Sequence, residues 1–173
     1  TGVQTCALPI YPLAATGETV RVNIRRLREA SNLGYAELAR RVKSAGRGIP
    51  ELGLRRIEEG ERRVDVDDLM ALAAALEVSP IALLMPSTTH GDETTATAVG
   101  EVTAHRFWNW LTGEMPLTGD APSAVFGFIS RSVPDWLLGT DYKLVEAGLS
   151  PRKEYSVRRP DKVLNRETSN GDD

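Results

Sequence analysis

The sequence is nearly without cysteine, poor in histidine and free of long apolar runs, and each shortage closes off a class of function. Cys6 is the single cysteine among 173 residues, so neither an intrachain disulfide nor a CxxC metal site can form. His90 and His105 are the only histidines, and neither has further ligands at metal spacing, so no metal is expected. No stretch approaches the roughly 18 consecutive apolar residues that a membrane span needs. Leu8 to Ala15 is too short for a signal peptide and lacks a basic start. HExxH, GxSxG and phosphate-loop patterns are all missing, which argues against an enzyme and leaves no catalytic residue or cofactor to name. The expectation is a cytoplasmic, non-enzymatic protein.

What is present is an uneven distribution of charge. The net charge is -3, against a uniformly basic coat. Residues 20–63, however, carry twelve Arg or Lys against six Asp or Glu, a net of +6, whereas residues 64–173 carry nine against seventeen, a net of -8. A basic front half suits a protein that turns one face to phosphates, and equally suits a solvated, salt-bridged helical surface. Residues 1–10 (TGVQTCALPI) read as the in-frame translation of a sequencing adapter and are set aside from fold reasoning, with a native start expected near Ala14 to Gly17.

Five short helices follow from hydrophobic periodicity between Val20 and Met85. The first runs from about Val20 to Ser31, with Val20, Ile24, Leu27 and Ala30 on one face. Asn32-Leu33-Gly34 breaks it. The second runs from about Tyr35 to Lys43 on Leu38, Ala39 and Val42, and ends in the small-residue turn Ser44 to Gly48. The third starts around Pro50, a residue favoured at the first helical position, continues through Leu54 and Ile57, and stops at Gly60. The fourth begins at Asp65 or Asp67, both suitable N-caps, and buries Leu69, Leu72, Ala73 and Leu76. Ser79-Pro80 opens a last short helix through Leu84, which Pro86 ends.

Beyond these, the polar stretch 87–98 reads as a linker. Residues 103–112 read as a helix with Ala104, Phe107, Trp108 and Leu111 on one face, and Ser123 to Leu138 is ambiguous. The tail from residue 146 is expected to be disordered, since polar residues, charge and proline dominate from Ser150. The organisation expected is therefore a domain at 18–86, a linker at 87–98, a small aromatic-bearing helical segment at 99–145 and a tail at 146–173.

One run of residues makes the helical pattern specific. Arg28-Glu29 closes the first helix, Tyr35-Ala36-Glu37-Leu38-Ala39 opens the second, and Leu54-Arg55-Arg56-Ile57-Glu58-Glu59-Gly60 ends the third. Asp67 to Pro80 (DDLMALAAALEVSP) forms the fourth helix and the start of the fifth. This ordering resembles the Cro/CI-type (XRE-like) helix-turn-helix family of transcriptional regulators over Val20 to Pro86. The long turn and the stretch Arg62 to Leu69 are similar to an actinobacterial subset.

The resemblance implies an all-α, lambda-repressor-like five-helix domain, with a small helical or irregular extension after it. It implies double-stranded DNA as partner, bound by a homodimer on paired half-sites, with repression by promoter occlusion. The third helix would lie in the major groove while the second crosses the backbone. Carried over by position, the base-facing candidates are Glu51, Leu52, Gly53 and Arg56, with Pro50 at the helix entry and Arg55 reaching a base or a phosphate. Tyr35 stands where the family often touches phosphate, and Arg47, Arg62 and Arg63 complete the candidate DNA contacts. Arg28 and Glu58 match a structural ion pair that joins the first helix to the third.

The departures are a turn about five residues longer than in compact members, and Pro50-Glu51-Leu52-Gly53 where many relatives carry Ser, Thr, Gln or Arg. Glu51 would face phosphate repulsion unless it accepts from a cytosine amine. Arg47, inside the long turn, is left open between a phosphate contact and a solvated side chain. The rival reading is an antitoxin-like protein whose C-terminal segment binds another protein. Phe107-Trp108-Asn109-Trp110 is either core or a partner or dimer surface, and a ligand-sensing role for residues 99–145 also stays open.

Overall fold

The computed structural model describes residues 12–134 and Trp136. Expectations for residues 1–10 and 146–173 lie outside these. Seven helices and one hairpin are present among the described residues: α1 (Ala15–Ala30), α2 (Tyr35–Ser44), α3 (Glu51–Glu59), α4 (Val66–Ala75), α5 (Pro80–Leu84), β1 (Thr94–Thr97), β2 (Gly100–Thr103), α6 (Ala104–Leu111) and α7 (Pro122–Ser132).

The first five helices enclose one apolar core. Ile24, Leu38, Val42, Leu54, Ile57, Leu72 and Leu83 are at most 1% exposed, and Ile49, Ala73 and Leu76 join them. α1 packs on α3 and α5, α2 on α3 and α4, and α4 on α5. Each helix starts and stops for a local reason. Asp65 caps α4 by accepting from the Asp68 N–H at 2.7 Å. Ser79 caps α5 through Ile81 N–H, with Pro80 at the first turn. α3 ends at Gly60, whose φ of 82° only glycine adopts without cost, and the Glu61 and Arg62 N–H groups return to the Arg56 carbonyl. Asn32, at φ 52°, turns the chain between α1 and α2.

Three boundaries differ from the sequence reading. α1 begins at Ala15, about one turn earlier than Val20, because Glu18 pairs with Arg21 and the Thr19 hydroxyl donates to the Ala15 carbonyl. Pro50 is not the first residue of α3 but its N-cap, with extended backbone. The stretch 87–98 is not only linker. Thr94–Thr97 pairs antiparallel with Gly100–Thr103, from Thr94 opposite Thr103 to Thr97 opposite Gly100. Thr97 is buried, its hydroxyl donates to the Gly100 carbonyl at 2.7 Å, and the Ala98 N–H donates to Thr16 Oγ1 at 2.9 Å. That bond sets the hairpin against the first turn of α1. Before it, the Glu93 carboxylate accepts from the Thr89 hydroxyl and from the Thr89 and His90 N–H groups. These bonds hold its carboxyl below the usual glutamate range.

α6 packs on β2. Its Thr103 cap accepts from the Arg106 N–H, and Phe107 is buried and stacked on Trp110 at 5.8 Å between ring centroids. Arg106 holds the following loop through the Leu117 and Gly119 carbonyls and Asp120. Ser123 to Ser132 of the ambiguous stretch lies in α7, which buries Val125 and Ile129 and leaves Phe126 exposed, and residues 135, 137 and 138 lie outside the described residues. Phe107, Val125 and Ile129 lie outside the apolar cluster of the first five helices.

Candidate nucleic-acid interface

α3 is amphipathic, and its two faces divide structure from surface. Leu54, Ile57 and Glu58 point inward, at 1%, 0% and 3% exposure. Glu51, Leu52, Arg55, Arg56 and Glu59 point outward, the spacing of one helical face. Leu52 is a large apolar side chain held 59% in the open. Arg56 reaches solvent, with its nearest carboxylate, Glu61, at 3.9 Å.

Glu58 is the inner anchor of this helix. Arg28 Nε donates to Oε1 at 2.7 Å and Arg28 Nη2 to Oε2 at 2.9 Å, a two-pronged pair between α1 and α3. Arg28 Nη1 also donates to the Leu33 carbonyl, so the same guanidinium fastens the turn before α2. Its bonds to Glu58 raise the Arg28 pKa further above the ordinary arginine value, so it stays charged. Two buried charges persist because every prong is used.

Tyr35 belongs to this cluster. Its hydroxyl donates to Glu58 Oε2 at 2.8 Å instead of standing free for a phosphate. Burial, then the Glu58 bond, pushes the phenol up from its usual value. Two guanidinium groups stand over the ring, Arg28 at 4.3 Å and Arg55 at 4.6 Å from its centroid. Arg55 is thus steadied over an aromatic face at the edge of the exposed surface of α3.

The remaining candidates separate. Gly53 is half-buried and turned inward, since a β-carbon there would come within 3.1 Å of Ile49 Cγ2. It does not line the outer face with Glu51 and Leu52. Arg47 is bound within the domain: its Nε donates to Asp68 Oδ1 at 2.8 Å and its Nη2 to Asp65 Oδ2 at 2.6 Å. Arg62 Nη2 donates to Asp68 Oδ2 at 2.7 Å. Arg63 Nη2 donates to the Pro12 carbonyl. Sequence reasoning missed Asp68, which is 1% exposed, and Asn23, whose amide donates to the Leu83 and Met85 carbonyls at 3.1 and 2.7 Å. The signal for Asn23 was available, because it falls at i+3 on the apolar stripe that starts at Val20.

Among the described residues, no helix is long and apolar enough to cross a membrane, and no group of three His, Cys, Asp or Glu is placed to hold a metal ion. No curated protein and no solved structure matches the chain. Residues 21–84 match the family described as helix-turn-helix domain, which spans α1 from its second turn through α5. Such a domain points to a DNA-binding regulator. Residues 21–84 thus match a helix-turn-helix domain of the Cro/CI-like type.

Proposed function

We propose that this protein is a sequence-specific transcriptional regulator that lays α3 in the major groove of duplex DNA, most simply as a repressor that occludes a promoter. The observation that carries the reading is the outer face of α3. It sets two arginines, two acids and one exposed leucine on a helix whose opposite face is locked to α1 by a buried ion pair. Four of these outer residues have a matching chemistry on base edges. Arg55 and Arg56 can fork onto guanine O6 and N7, Glu51 can accept from a cytosine amine, and Leu52 suits a thymine methyl. Pro50 delivers the chain to the helix start, and Tyr35 acts by steadying Arg55.

One recognition helix reads only a few base pairs, so the reading extends to a homodimer on paired half-sites about one helical turn apart. The exposed Trp108 and Phe126 offer apolar surface for self-association or for a protein partner.

The test is selection of bound duplexes from a random-sequence library with the full chain, followed by affinity measurements on the selected duplex. Arg56→Ala should weaken that duplex by about 1–3 kcal/mol if Arg56 reads a base. If it holds a phosphate instead, all duplexes weaken alike and the salt slope flattens by about one unit. Failure of the wild-type protein to enrich any sequence refutes the proposal.

A further inference from the structure

Asp68 lies outside the face that would read DNA, yet two of the arginines among the candidate DNA contacts converge on it. Arg47 comes from the long turn before α3 and Arg62 from the turn after it. Each takes one carboxylate oxygen, at 2.8 and 2.7 Å, and the carboxylate is 1% exposed. Asp68 is itself held in place, because its own N–H is capped by Asp65 in the first turn of α4. Arg62 then lies across the first turn of α3: its Nη1 is buried, 3.5 Å from where a β-carbon on Gly53 would stand. Arg47 is drawn further toward α4 by Asp65 at 2.6 Å. Its hydrogen bond to Asp68, then the Asp65 charge, raises its pKa. α3 itself packs on α1 and α2. The turns on both sides of it are tied to α4 through this one carboxylate.

We propose that Asp68 is a positioning residue for the recognition helix, and that Arg47 and Arg62 act through it instead of binding phosphate. The inference rests on the major-groove reading above. An arginine that already shares a buried carboxylate would have to break a charge-assisted hydrogen bond to reach DNA. Doing so would leave one oxygen of that buried carboxylate without its partner. The same bonds, left intact, fix the two ends of α3, so that Glu51, Leu52, Arg55 and Arg56 meet base edges together. Loosening them should blur discrimination between sequences while leaving the number of phosphate contacts unchanged.

The experiment uses full-length protein, the duplex selected by the wild type and a random-sequence duplex of equal length, each titrated across 50–200 mM salt. Asp68→Asn, Arg62→Gln and Arg47→Gln are compared after thermal melts establish which variants are folded. The expected result for each folded variant is a loss of discrimination, by about tenfold for Asp68→Asn, the size of one lost base contact, with the salt slope unchanged. A purely structural role would lower the melting temperature and leave the discrimination of folded protein intact, which overturns the proposal. A slope reduced by about one unit in Arg62→Gln or Arg47→Gln, with discrimination kept, identifies a direct phosphate contact and also overturns it. Should Asp68→Asn not fold, the two arginine variants decide. A wild type that enriches no sequence removes the major-groove reading and this inference with it. Enrichment by the wild type with equal discrimination in every folded variant removes this inference alone.

Discussion

Removing one partner of the Arg28–Glu58 pair should nearly unfold the domain, whereas removing both should not. The Arg28 and Glu58 side chains are 11% and 3% exposed, and two short bonds join them. Glu58→Leu would leave a guanidinium that stays charged at every accessible pH facing an apolar pocket. It would also strip the Tyr35 hydroxyl of its acceptor. Stranding a buried charge costs about 3–5 kcal/mol, a large part of the roughly 5–15 kcal/mol that holds a typical domain. The melting temperature should fall by roughly 12–40 °C. Arg28→Met strands the carboxylate instead and should cost a similar amount. The double variant replaces both charges with apolar groups of comparable volume and should recover most of the loss. A residual deficit of about 0.5–1.5 kcal/mol is expected from the Leu33 carbonyl, which loses the Arg28 Nη1 donor. Urea denaturation followed by circular dichroism measures all four proteins, with an unchanged m-value required for the comparison. Single variants that cost less than about 1 kcal/mol, or a double variant whose cost equals the sum of the singles, would refute the reasoning.

Three further outcomes follow from particular contacts. Asn23→Leu should cost about 1–3 kcal/mol in the same assay, because the Leu83 and Met85 carbonyls lose the amide that ties the end of α5 to α1; a neutral substitution would mean that other donors replace it. Gly60→Ala should cost about 1–2 kcal/mol, since alanine must adopt a φ of 82° at the end of α3, and a stabilised variant would contradict that geometry. Asp65 has its pKa lowered, first by the Asp68 N–H and then by Arg47. Its contribution is therefore complete above the unfolded-state value and is lost as pH falls through the folded-state value, below about 4. Asp65→Asn keeps a capping side chain but should lose less stability than wild type between pH 4 and pH 2; an identical acid limb in both proteins would count against the cap.

The five-helix domain was legible because its apolar spacing and its stop signals agree. Gly60, Asp65 and Ser79 each end or start a helix in the structure. The start of α1 was not, because Ala15 to Thr19 carries no apolar stripe and is held by local polar bonds and by the hairpin's bond to Thr16. The hairpin itself was hidden for a related reason. Its first strand is threonine-rich and buries only Thr97, so its composition resembles a polar linker. Within the site, the outer face of α3 follows from helical geometry once the third helix is placed. The polar partnerships do not. Tyr35 and Glu58 are 23 residues apart, and Arg47 and Asp68 are 21 apart. Periodicity carries no information on pairs at that range. Asp68 was legible only as acid in a first helical turn, a position that serves the helix dipole equally well when exposed. Ile49 was equally hidden: a lone apolar residue in a long turn gives no period, yet it fills the core at 3% exposure.

The central claim is that the outer face of α3 is the surface that meets DNA. Backbone amide signals of uniformly labelled full-length protein, followed as the selected duplex is added, test it most directly. The account predicts that the largest changes fall on Glu51, Leu52, Arg55 and Arg56 and on the start of α2 around Tyr35, while α6 and α7 change little. Changes centred on α6 and α7, or none anywhere at saturating duplex, would contradict it.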